Sequence, residues 1–168
     1  MSDTDTQVDP FVRRLVRRLA NDDGEALRLA LIDASELARI WKRFAGDPAR
    51  VRSVVGPFSD TASFPHMTSC DADVLLQAFI AAIERPIARD LIAAAAHGLT
   101  AFAAPAARPA LIAALRRAPD DDRARFQILL ALEALGEDIF PPSLSRSAEE
   151  HNDHRQIAQR FLRSLDTM

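Results

Sequence analysis

The chain has 168 residues and 18.5 kDa, enough for one domain, and at that length folding buries about 70% of the surface an unfolded chain exposes, so no disulfide or metal is needed to hold it. A formal net charge of -3 and a pI near 5.8 argue against a dedicated nucleic-acid binder, which needs a concentrated basic face. The single cysteine, Cys70, excludes an internal disulfide framework and the cysteine-rich zinc motifs, and it fits a reducing cytoplasm.

Few glycines, no tyrosine and an abundance of Ala and Leu predict an all-α protein. Met1 to Asp9 is polar and acidic, without the basic and apolar stretches of a secretory leader; residues 1–8 read as a disordered tail and 9–168 as one helical domain. Asp9 and Pro10 read as N-cap and first helical position, because the carboxylate accepts orphan amides and proline lacks the amide that would be unsatisfied. Phe11, Val12, Leu15, Val16 and Leu19 then share one face, with Arg13, Arg14, Arg17 and Arg18 on the other, until Asn21 to Gly24 interrupts. A second helix is expected from Glu25 to about Phe44, with Gly46 and Pro48 as its stop and a short helical piece over 49–55.

Residues 56–70 read as a long loop, since Pro57 and Pro65 block regular helix. Loops beyond about 12 residues are uncommon in compact domains and are usually functional or disordered. Phe58, Phe64 and Met67 are its large apolar side chains. If exposed, they would anchor a protein interface; if buried, they plug the junction between the N-terminal helices of 9–55 and the helix pairs of 71–168.

From Asp71 the helical period resumes. One pair is expected from Val74 to Ile83 and from Ile87 to about Ala103, turning at Arg85 and Pro86. A second pair opens at Pro105 and Pro109 with Leu111, Ile112 and Leu115, then continues after Pro119 to Asp122 with Phe126, Leu129, Leu132 and Leu135 as far as Gly136. A last helix from about Asp153 turns Ile157, Phe161, Leu162 and Leu165 inward. The longest apolar run, Leu91 to Ala107, is alanine-dominated and broken by Pro105, which suits close helix packing and gives no membrane span.

Ala131 to Leu144, reading Ala-Leu-Glu-Ala-Leu-Gly-Glu-Asp-Ile-Phe-Pro-Pro-Ser-Leu, resembles the helix end, glycine turn and Pro-x-Leu helix start of HEAT-like repeats. The resemblance covers Asp71 to Met168. It implies a short, irregular α-solenoid of antiparallel helix pairs, preceded by an N-terminal helical extension without a repeat, and it implies a macromolecule-binding surface. A generic irregular helical domain is the alternative.

Each candidate for chemistry also has a structural explanation. His151 and His154, three apart beside Glu149, Glu150 and Asp153, could face one metal ion, but polar clusters at helix starts usually cap them. His66 and Cys70 could make a thiolate nucleophile, although no third orienting group accompanies them. His97 reads as a helix-end histidine, and Asp120, Asp121 and Asp122 as an N-cap, since they lack the spacing of a calcium loop. No phosphate-binding loop, nucleophile elbow or His-Glu-x-x-His helix occurs.

The reading is therefore a cytoplasmic, non-catalytic protein-protein interaction module with no cofactor and no metal, acting as an inhibitor or immunity-type protein or as an adaptor. Its partner-binding candidates are Phe58, Phe64 and Met67 together with Asp121, Asp122, Glu133 and Glu137, acids that could meet a basic partner. A homo-oligomer is compatible with the same surfaces. The rival is a nucleic-acid-binding helical-repeat protein resembling the DNA alkylation-repair glycosylases, using the arginines of the first helix. A metal- or thiol-dependent enzyme is the third class.

Overall fold

The computed structural model describes residues 8–44, 67–117, 122–140 and 153–167. Among these are seven α-helices: α1 (Pro10–Asn21), α2 (Gly24–Phe44), α3 (Ser69–Glu84), α4 (Arg89–Phe102), α5 (Arg108–Arg117), α6 (Asp122–Ala134) and α7 (His154–Asp166), with a 3-10 turn over Pro105–Ala107 leading into α5. No strand occurs among the described residues. No helix there is long and apolar enough to cross a membrane.

The helix starts follow from local chemistry. The Asp9 carboxylate accepts the Phe11 amide at 2.7 Å and Pro10 follows it; Asp153 accepts the Gln156 amide at 3.0 Å. Helix α3 begins at Ser69, earlier than expected, because Thr68 and Asp71 form a capping box in which each side chain accepts the other's backbone amide. Ser69 and Cys70 consequently belong to α3 and not to the loop read over 56–70. Helix α6 ends where Gly136 takes a φ of +92°, a conformation glycine adopts without cost. Helix α4 ends on Ala103 at φ +47°, a left-handed cap closed without glycine.

The helices pack as pairs, and the pairs form two rows. Helices α1, α3, α5 and α7 are successive neighbours in the first row, and α2, α4 and α6 in the second; α1 packs on α2, α3 on α4, and α5 on α6. The N-terminal pair stacks in the same two rows as those that follow, so the expected extension is a layer of the stack. Val8, counted with the tail in the sequence reading, is buried, as is Met67. The short piece expected over 49–55 lies outside the described residues.

Polar pins hold the first row. At one end the Asp9 amide donates to Asp71 Oδ1 at 2.7 Å, joining the starts of α1 and α3. At the other end Arg85, just past α3, donates to the carbonyls of Leu19 and Asp22 at 2.7 and 3.0 Å, capping the end of α1. Arg117 repeats the device one layer on, donating to the Ile83 carbonyl at 2.8 Å. Arg116 pairs with Asp166 at 3.0 Å at the ends of α5 and α7. Like ends therefore meet like ends, so these helices run in the same sense, with Arg85 and Arg117 satisfying carbonyls at the end of the neighbouring helix.

The second row packs through small side chains. Ala93, Ala95, Ala96 and Gly98 of α4 are buried, and α4 packs against both α2 and α6. Gly98 is the point of closest approach. A Cβ there would lie 2.3 Å from Phe79 Cε1 and 2.8 Å from Ser35 Oγ, so glycine is what lets α4 sit against α2 and α3 together. Phe79 is fully buried and its ring meets Phe102 at 6.0 Å between centroids.

Candidate functional site

The second row opens onto a groove of about 650 Å³. Helix α2 contributes Arg28, Leu31, Ile32, Ser35, Glu36 and Arg39; α4 contributes Asp90, Ala93, Ala94 and His97; α6 contributes Arg123 and Gln127. The residues of α2 recur at helical spacing, which puts them on one face. That face borders the stripe of Leu27, Leu31, Ala34 and Leu37 that α2 buries and shares Leu31 with it. Ile32, out of phase with the buried stripe, is 48% exposed, and its neighbour Leu29 is 46% exposed. These are the two exposed large apolar side chains among the described residues.

The groove mixes charge with apolar surface. Arg28 holds Glu25 through two hydrogen bonds of 2.6 Å, and Arg39 grips Glu36 in the same two-pronged way. Hydrogen bonding from these guanidinia draws both carboxyls below the ordinary carboxylate range. Asp90, across the row on α4, adds its field at Arg28. These pairs lie in solvent, where an ion pair contributes little, so either arginine can exchange its intrahelical carboxylate for another at small cost. Ala93 and Ala94 supply small apolar surface between the charged walls.

The sequence candidates fall elsewhere. Phe58, Phe64 and Asp121 lie outside the described residues. Met67 is 3% exposed and packed in the core, the buried one of the two arrangements the sequence allows. Glu137 is bonded to Arg108, tying the turn after α6 to the start of α5. Asp122 accepts from the buried Arg125 at 2.6 Å while keeping most of its own side chain in solvent. Glu133 is half-buried on α6. The described acids of this set are thus scattered over α6 and its flanks, and none lines the groove.

Asp153 of the His-rich cluster is the N-cap of α7, and His154 is buried, stacked on Phe126 with centroids 4.7 Å apart. Capping accounts for Asp153, whereas His154 is packed against the Phe126 ring instead of capping the helix, and His151 lies outside the described residues. Among the described residues no group of three or more His, Cys, Asp or Glu is placed to hold a metal ion. Cys70 is half-buried in the first turn of α3, and His66 lies outside the described residues.

The arginines of α1 are largely engaged with their own domain. Arg13 donates to the Val8 carbonyl at 3.0 Å, Arg14 lies 5.3 Å from the centre of the Phe11 ring, and Arg18 bonds Asp22 and the Ala26 carbonyl. Sequence reasoning passed over the groove itself apart from His97, which lines it from α4. The signal that could have found it is Leu29 with Ile32, two large apolar residues off the buried stripe of α2. The chain matches no family model, no curated protein and no solved structure among those compared.

Proposed function

We propose that this chain is a non-catalytic, cytoplasmic protein-binding module, HEAT-like in the stacking of its helix pairs, that holds a segment of a partner protein against the α2–α4–α6 row as an inhibitor, an immunity-type protein or an adaptor. The observation that carries the reading is the groove. An open channel with exposed Ile32, an alanine surface and guanidinia on its walls has the composition of a protein interface, in which an apolar centre is ringed by polar groups. Arginine is among the side chains that contribute most at such surfaces. Engagement of Arg13, Arg14 and Arg18 within the domain weighs against a nucleic-acid reading built on α1.

The test is affinity capture of the tagged chain from its native lysate at moderate salt, with Ile32→Asp alongside. A partner recovered in stoichiometric amount by the wild type and lost by a folded Ile32→Asp supports the reading. Recovery of nucleic acid alone, released as salt is raised, would replace it with the rival. Recovery of further copies of this chain alone would point to self-association instead.

A further inference from the structure

We infer that the α2–α4–α6 groove takes an acidic polypeptide segment in which a large apolar residue is flanked on both sides by Asp or Glu; the inference rests on the protein-binding reading above and names the chemistry of the segment. Charge is the first argument. The chain as a whole is negative, at -3, yet this groove is lined by three guanidinia, Arg28, Arg39 and Arg123, against two carboxylates, Glu36 and Asp90. With Glu25 held by Arg28 just outside the lining the charges balance, so what the groove offers an anionic occupant is a row of guanidinium donors whose present carboxylates are solvent-exposed and exchangeable.

Spacing is the second argument. Arg28, Ile32 and Arg39 lie along one face of α2, and at the helical rise of 1.5 Å per residue the two arginines are roughly 16 Å apart with the isoleucine between them. An extended segment covers that span with about five residues, and a helical one with about three turns. Each arginine has five N–H donors and gives two bonds to its intrahelical carboxylate, leaving donors for an incoming Asp or Glu. The apolar residue between those acids then meets Ile32 and the Ala93 and Ala94 surface. A phosphate backbone suits the groove less well, because Ile32 and the Ala93 and Ala94 surface occupy the middle of the track and a phosphate backbone brings no apolar group to meet them.

A displayed library of random peptides of about 12 residues, panned against the immobilised full chain, tests this. Enriched peptides are then measured by fluorescence anisotropy on the wild type, on Ile32→Asp and on the double variant Arg39→Gln, Arg123→Gln, each checked for an unchanged cooperative melt. The expected result is peptides of net negative charge with a large apolar residue between acids, binding about tenfold or more weakly to both variants. Enrichment of neutral or basic peptides that still lose affinity on Ile32→Asp overturns the acidic segment and leaves the protein-binding groove standing. Enriched peptides that bind both variants as well as the wild type overturn the groove itself. Absence of any enriched peptide overturns the inference, and if a single-stranded oligonucleotide of similar length binds in salt-sensitive fashion, the protein-binding reading falls with it.

Discussion

The two rows of helices are built by different means. The first row is pinned at its ends by directional bonds, Asp71 to the Asp9 amide, Arg85 to the end of α1, and Arg117 to the end of α3. In the second row Lys42 reaches the Thr100 carbonyl at 3.4 Å, and alanines and Gly98 provide the close packing. Hydrogen bonds at helix termini set spacing and sense, while small side chains let backbones approach without using up the polar groups on the opposite face. The row that is pinned can act as a frame, and the row packed by small residues has the outer face on which we propose a partner binds.

This contrast can be broken at its tightest point first. Gly98→Ala should cost about 3 kcal/mol, since the added methyl meets a fully buried Phe79 ring that has nowhere to retreat; denaturant unfolding measures it. Asp71→Ala should cost about 2 kcal/mol, because the carboxylate accepts the Asp9 amide and both the amide and the hydroxyl of Thr68. Amide exchange in that variant should quicken in α1 before it does in α4. Arg85→Met, which keeps the aliphatic stem but removes the cap from α1, should cost about 1 kcal/mol by the same measurement. Ala103→Gly should change stability in the other direction by up to about 1 kcal/mol, as it relieves the left-handed conformation at φ +47°.

The smallest effect is one of pH. The Glu36 carboxyl is drawn below its ordinary value by Arg39, so its folded pKa lies under its unfolded one. The stability it contributes is present above the unfolded carboxylate range and is lost as pH falls through the folded value. Arg39→Gln should therefore lower stability slightly at neutral pH, leave it unchanged at pH below the folded value, and so flatten the acid limb of a stability-against-pH curve.

Most of the elements were legible because they depend on neighbours in sequence. Asp9 with Pro10, Asp153, Gly136 and the apolar period of each helix are local signals, and the helices begin and end close to them. The start of α3 was misplaced because Thr68 caps it from within a stretch whose prolines suggested continuous loop. The pins were illegible for a different reason. Arg85 and Arg117 look like ordinary cations near helix ends, and their acceptors, the carbonyls of Leu19, Asp22 and Ile83, are backbone groups of a helix one layer away. The groove combines side chains from three helices that are not consecutive in the chain. Only packing brings Ile32, Ala94 and Arg123 to one channel, and the sequence reading looked for anchors in the loop and in acids that the fold ties to Arg108 and Arg125.

The division of labour between the rows is tested most directly by measuring melting temperature and partner capture together on Ile32→Asp and Arg85→Met. Ile32 is half in solvent and makes no pin, so its variant should keep the wild-type melt and lose the partner. Arg85 bonds the end of α1 and is not part of the groove lining, so its variant should melt lower yet capture the partner normally below its own transition. The opposite pattern, Ile32→Asp binding as the wild type does while Arg85→Met loses the partner without losing its fold, would place the working surface on the first row and contradict the account.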